Sequence, residues 1–223
     1  MGGNESWLLE RLLLLIPLLL SLTVHEWAHA YSAYRLGDDT AGRLGRLTLN
    51  PIPHIDIIGT ILVPMMGVPF GWAKPVPVDP VRFRRDINMS TGVLITAAAG
   101  PLSNLLIAVV CVVLLSALLR SNPALVAGDG KSVLFLLYNM ISLNVILALF
   151  NMLPVYPLDG SRVVDGLISR RLRPAWERFA RYSPLLLILI VLFPSLFGFS
   201  LLGAPYRLAI DSLFQLSEFI IGL

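Results

Sequence analysis

His25-Glu26-Trp27-Ala28-His29 sets two imidazoles four residues apart, with a carboxylate beside the first. On a helix, residues i and i+4 project from one face on successive turns, so both rings can reach a single ion. Glu26 falls on the neighbouring face, where it can hold a water on that ion and take its proton. Zinc suits such a site, because it accepts imidazole nitrogen and carboxylate oxygen in a tetrahedral shell and leaves one position for water. The spacing therefore points to metal-assisted hydrolysis. A chance HExxH in a chain of 223 residues is rarer than about one in a hundred. The competing explanation is a polar contact between helices with no metal. It is costly inside a membrane helix, at about 2.5–3.5 kcal/mol for a single central acid on insertion scales.

A third ligand is required, and His54 and Asp159 are the candidates. His54 follows Pro51-Ile52-Pro53 in a connecting segment. Asp159 lies in Asn151-Met152-Leu153-Pro154-Val155-Tyr156-Pro157-Leu158-Asp159-Gly160, where Pro154 and Pro157 must interrupt any helix. Unwound backbone at membrane depth calls for a ligand or a water-filled site, which favours Asp159.

The elements that position these residues are read from composition and charge. Hydrophobic residues make up 56% of the chain and charged ones 14%, against roughly a quarter charged in a soluble domain. Mean hydropathy is +0.78. So short a chain cannot hide that much apolar surface in a soluble core, and lipid must cover it. Apolar stretches at Trp7–Tyr34, Gly92–Leu119, Val133–Leu153 and Leu185–Gly203 are each near the roughly 20 residues a spanning helix needs. Leu8–Leu20 has Glu5 and Glu10 at its start with only Arg11 as a cation, no small-x-small cleavage site follows, and the apolar helix runs on into Val24 and Ala28, so it reads as a retained helix rather than a cleaved signal peptide. Ile55–Phe70 is short and broken by Gly59, Pro64, Gly67 and Pro69. Leu208–Leu223 carries Asp211 and Glu218, so it either crosses or lies along the interface.

Basic residues assign the sides. Arg35, Arg43, Arg46, Lys74, Arg82, Arg84 and Arg85 lie between the first two spans, and Arg162, Arg170, Arg171, Arg173, Arg178 and Arg181 between the third and fourth. Both connections are cytoplasmic by the positive-inside rule, provided Ile55–Phe70 is re-entrant or lies on the membrane surface. The net charge of +3 is thus a topology signal rather than a nucleic-acid one. His25, His29 and Asp159 then sit at similar depth, near the cytoplasmic ends of spans one and three. Gly42–Asn50, between turn formers, is read as a short strand or hairpin. The lone Cys111 has no disulfide partner and reads as packing, as do Met65 and Met66. Trp7, Trp72 and Trp176 read as interfacial anchors. The expected fold is an all-α polytopic membrane protein of four to six transmembrane helices, with a small strand or re-entrant element between the first two.

HEWAH in a membrane helix, paired with a distal NMLPVYPLDG, resembles the site-2 protease family of intramembrane zinc metalloproteases. Ala99-Gly100-Pro101-Leu102-Ser103-Asn104 is similar to that family's GPxxN helix, and Asn50–Gly59 and Gly71–Pro77 resemble its compact prokaryotic members. The resemblance covers about Leu20–Gly160. It implies that His25, His29 and Asp159 bind one Zn2+, that Glu26 activates water, and that Asn151 donates to the oxyanion. Asn104 would serve packing or substrate contact. For His54 the readings are a temporary zinc ligand, a substrate clamp or a partner to a ligand, against a histidine bonded to loop backbone. The chain has no room for the PDZ or CBS domains of many members. It is expected to be a single integral membrane protease domain over 1–223, with a catalytic core at about 7–160 and hydrophobic C-terminal helices at about 184–223. The expected substrates are transmembrane proteins or peptides in the bilayer of a prokaryotic cell, with the site towards the cytoplasm. A separate regulatory or substrate-presenting protein is left open, and no nucleic acid is involved. A zinc carrier or sensor, or a binder that only holds membrane segments, would leave Glu26 dispensable.

Overall fold

The computed structural model describes residues 2–66, 71–122, 131–197 and 201–221. Away from water, each backbone N–H must find a carbonyl within its own segment, and long apolar runs accordingly become helices. In chain order these are α1 (Gly2–Arg35), α2 (Thr40–Arg43), α3 (Val63–Met65), α4 (Met89–Ser121), α5 (Lys131–Asn151), α6 (Asp159–Leu167), α7 (Arg173–Phe197) and α8 (Gly203–Ile221). Among the described residues three hold runs long and apolar enough to cross a bilayer: Leu12–Arg35, Met89–Ser121 and Ser132–Asn151. The protein is therefore helical and membrane-embedded. The predicted fourth span, Leu185–Gly203, falls in part on α7, whose opening turns carry Arg173, Glu177, Arg178 and Arg181 before the apolar run begins, while residues 198–200 lie outside the described part.

α4 is the hub, packing against α1, α5, α6 and α8. Its core with α5 and α8 contains Cys111, Val112, Leu115 and Ile141, with Leu213 and Phe214 against them. Cys111 is thus a packing residue. α8 lies along α4 and α5 through polar pairs: Ser116 with Ser217 at 2.7 Å, Ser142 with Tyr206 at 2.6 Å, and Arg120 donating to the Ile220 carbonyl at 3.1 Å. Within apolar surroundings such pairs are worth about 0.6–2 kcal/mol each. Asp211 and Glu218 face outward.

The connection between α1 and α4 departs from expectation. Among the described residues it contains no strand. Gly42–Asn50 is the end of α2 followed by turns, with Gly45 in the left-handed region at φ +68°. Among the described residues no strand pairs with it; Arg46 instead reaches across to the Lys74 and Pro75 carbonyls. The described part of Ile55–Phe70 forms a π-type turn, Ile57–Leu62, followed by α3. Neither helical piece has the length to cross, and Ile57, Ile58, Leu62 and Met66 are exposed. Residues 67–70 and the Trp7 side chain lie outside the described part.

The extended run is further on, at residues 71–79. Trp72 donates to the Gly59 carbonyl at 3.2 Å and Lys74 to the His54 carbonyl at 2.9 Å, while Val76 donates to Glu26 at 2.7 Å. Alternate N–H groups turned to one side are the signature of extended chain. The far end is fixed by Asp38, whose carboxylate accepts from Asp79 N–H at 2.7 Å and from Thr40 N–H at 3.0 Å. At the near end the Trp72 ring lies on Gly59, where a Cβ would come within 2.3 Å of it.

Candidate metal centre

His25 and His29 lie on the inner face of α1, one turn apart and buried. Their separation from Arg35, at the end of α1, corresponds to about 15 and 9 Å along the axis at 1.5 Å per residue. α5 ends at Asn151, before Pro154, and the chain turns to begin α6 at Asp159. That turn places the Asp159 carboxylate against both rings. Asp159 Oδ2 is 3.1 Å from His25 Nε2 and 3.3 Å from His29 Nε2, and the two Nε2 atoms are 3.1 Å apart. Three ligand atoms around tetrahedral zinc at 2.0–2.1 Å are separated by about 3.3–3.4 Å. The observed triangle is close to one face of that tetrahedron.

The hydrogen bonds behind the rings decide what the triangle holds. His25 Nδ1 is 2.6 Å from Asn104 Oδ1, and His29 Nδ1 is 2.6 Å from the Thr96 carbonyl. Both partners are acceptors, so in the neutral rings Nδ1 carries the proton and Nε2 carries the lone pair. Two nitrogen lone pairs and a carboxylate oxygen then converge on one point. Asp159 Oδ2 is buried without a hydrogen-bond donor, an arrangement that is unfavourable unless a cation occupies the centre. These three are the group of His, Cys, Asp and Glu side chains placed to share an ion among the described residues. The residues fit zinc: a neutral His pair, one carboxylate, and Nδ1–H groups tied to acceptors as metal-bound histidines require.

Gly100, in α4, lies directly against the two rings. A Cβ there would come within 2.4 Å of His29 Nε2 and 2.6 Å of His25 Cε1, so only glycine lets α4 approach this closely. Glu26 is buried beside the site, and Val76 N–H holds its Oε2, while Oε1 has no hydrogen-bond partner among the described residues. A cavity of about 330 Å³ opens here, and His25, Glu26, His29, Asn151, Asp159 and Arg162 are among the residues lining it. Ala73, Pro75, Val76 and Val78 of the extended run form part of its wall. Asn151 Nδ2 donates to the Leu147 carbonyl at 3.1 Å, one turn back on α5.

The other two residues singled out by sequence do not line the cavity. His54 is buried away from the ligand triangle, with Nε2 donating to the Thr48 carbonyl at 2.9 Å. Asn104 is wholly buried behind His25, out of reach of a substrate. Sequence reading took Arg46 only as a loop charge and did not mark its guanidinium as the group that holds the extended run. It also missed Thr96, which supports His29 through its main chain. Tyr156 and Trp176 went unmarked as a pair: both donate to Asp165, tying the loop before Asp159 to α6 and α7. Burial and the adjacent Asp165 carboxylate push the Tyr156 hydroxyl up to about 12, so it remains a donor.

The sequence pattern of peptidase family M50 matches residues 121–193. YwhC of Bacillus subtilis (strain 168), whose name assigns it provisionally to the zinc metalloproteases, is 39% identical over 203 residues, covering 91% of this chain and 90% of YwhC. Rip2 of Mycolicibacterium smegmatis, with the same description, is 28% identical over 80% of this chain and 66% of its own length. Rip2 of Mycobacterium tuberculosis (strain H37Rv) is 26% identical over 86% and 74%. No solved structure matches.

Proposed function

The chain belongs to peptidase family M50, the site-2 family of zinc metalloproteases, and on that premise we propose that it cleaves peptide bonds in or beside transmembrane segments of other membrane proteins. The observation that carries this reading is the ligand triangle His25–His29–Asp159 with Glu26 on the same cavity wall, inside a helix long enough to span the bilayer. The whole chain acts as one protease domain, with its site towards the cytoplasm, where both arginine-rich connections lie. α7 supplies a fourth crossing.

His25, His29 and Asp159 hold the zinc. Once bound, it supplies Lewis acidity towards the scissile carbonyl and lowers the pKa of water. Glu26 Oε1 takes the proton from the attacking water and returns it to the leaving amine, while Val76 N–H keeps the carboxylate aimed. Asn151 turns its amide from the Leu147 carbonyl to the oxygen on which charge develops.

A substrate helix must first unwind, because its own hydrogen bonds shield the scissile carbonyl. The extended run 71–79 is better placed than Gly42–Asn50 or the re-entrant turn to receive the unwound strand. Its inward N–H groups are already engaged, and Ala73 is left to offer its own N–H and carbonyl from the opposite edge. Pro75 and Pro77 carry no N–H, so main-chain pairing is concentrated at Ala73 and the register is restricted. Cleavage of a transmembrane test substrate in detergent, wild type beside Glu26→Gln with zinc measured in both, tests the reading. Equal zinc with cleavage lower by about 10²–10⁴-fold in the variant is expected. Equal cleavage by both proteins would refute it.

A further inference from the structure

Ser21, Asn144 and Asn104 form a chain of buried amides and a hydroxyl that ends on a metal ligand. All three side chains are fully buried, one each on α1, α5 and α4. The orientation of each amide is set by its neighbours. Asn144 Nδ2 lies 2.8 Å from the Met140 carbonyl, which can only accept, so this end of Asn144 is the NH2 group. The same NH2 reaches Ser21 Oγ at 2.7 Å. Asn144 Oδ1 is therefore an acceptor, and it takes a hydrogen bond from Asn104 Nδ2 at 2.8 Å. Asn104 Nδ2 also points to the Ser21 carbonyl at 3.4 Å. With its NH2 fixed in this way, Asn104 can present only Oδ1 to His25 Nδ1. The lone pair of His25 is then on Nε2, towards Asp159.

We propose that Asn144 and Ser21 are positioning residues for the metal: they hold the Asn104 amide in the one orientation that fixes the His25 tautomer for coordination. The inference rests on His25 being a zinc ligand. The two ends of an amide are alike in shape and opposite in hydrogen bonding, so packing alone cannot choose between them. Rotated by half a turn, Asn104 would offer NH2 to Nδ1, which would have to give up its proton to accept. The proton would then sit on Nε2 and block the metal. The chain of bonds from the Met140 carbonyl removes that choice, and it does so with groups on three different helices, so bundle assembly and ligand readiness are coupled. Buried polar groups in a membrane interior are otherwise costly, and this relay gives their presence a purpose at a site that neither Asn144 nor Ser21 touches.

The test is zinc affinity by chelator competition in detergent, on monodisperse protein whose thermal unfolding is recorded alongside. Asn144→Leu keeps the size and removes all three of its side-chain hydrogen bonds, and should weaken zinc binding about 10–100-fold, the range for partners of metal-bound histidines. The decisive comparison is Asn144→Leu in an Asn104→Leu background. With the amide gone Asn144 has nothing to orient, so here Asn144→Leu should change affinity by less than about threefold. Wild-type affinity in Asn144→Leu alone would overturn the relay. An equal loss in both backgrounds would overturn it too, by showing that Asn144 acts through packing. His25→Ala separates the premise from the inference. Retained zinc in that variant defeats the ligand assignment itself, whereas lost zinc with an unaffected Asn144→Leu defeats only the relay.

Discussion

Replacing Gly100 by alanine adds a single methyl group at the closest approach of α4 to the metal ligands. That carbon would lie 2.4 Å from His29 Nε2 and 2.6 and 2.7 Å from His25 Cε1 and Nε2, whereas ordinary contact begins at 3.4 Å. The rings, or the whole of α4, must therefore shift by about 1 Å. Ring movement breaks the triangle, because the Nδ1 atoms are held at 2.6 Å by Asn104 and the Thr96 carbonyl and cannot follow without losing those bonds. Helix movement opens the α1–α4 interface, and overpacking of this kind costs about 1–3 kcal/mol. A misplacement of about 1 Å at a reacting centre can lower the rate about 10²-fold. Purified Gly100→Ala should therefore contain substoichiometric zinc by mass spectrometry. Its kcat/KM on a transmembrane test substrate should fall about a hundredfold or more at saturating zinc, with the protein still folded. Full zinc content and a rate within threefold of wild type would show that the close approach of α4 is not what holds the ligands.

Other substitutions separate metal binding from catalysis. Asp159→Ala removes the third ligand and should weaken zinc by more than the roughly hundredfold upper range for outer partners; affinity within tenfold of wild type would mean another group completes the site. Arg46→Ala frees the Lys74 and Pro75 carbonyls, and with them the run that aims Glu26, so zinc should be retained while kcat/KM falls about tenfold. An unchanged kcat/KM would detach Glu26 from that run. Tyr156→Phe deletes the donor to Asp165 and should lower stability by about 1–2 kcal/mol, read from thermal unfolding. Since the Tyr156 pKa is raised to about 12, its contribution is complete below the ordinary tyrosine value of about 10 and is lost only as pH rises through 12. The unfolding curves of wild type and Tyr156→Phe should therefore differ by a constant amount from pH 6 to 9, and a gap that closes within that range would contradict the assignment.

The helices and the His25–His29–Asp159 cluster were legible for different reasons. Apolar runs of spanning length have one stable answer in lipid, so the helical, membrane-embedded class follows from composition and segment length. His25, Glu26 and His29 share a helix, and their relation is fixed by its 3.6-residue turn. Asp159 is reached through two prolines and a charge count, because Pro154 must end α5 and the positive-inside rule leads one to expect both segments at one depth. Gly42–Asn50 misled. Its residues suit a strand, yet a strand needs a partner, and the bonds that would have paired it go instead between Arg46 and the run at 71–79.

By itself the sequence determined that the chain is helical and membrane-embedded, which side chains lie on one helical turn, and where the chain must unwind. Those properties depend on local backbone geometry and on the cost of leaving polar groups in hydrocarbon. Only the tertiary structure decided that Asn104 stands behind His25, 79 residues away in sequence, that Gly100 makes room for the rings, that His54 turns to Thr48, and that residues 71–79 rather than 42–50 border the cavity. The first two depend on how α4 packs against α1, and helices that are apolar around their whole circumference carry no pattern saying which faces will meet; the other two depend on bonds between distant parts of the connecting segment and α1, such as Arg46 to the Lys74 carbonyl and Val76 to Glu26.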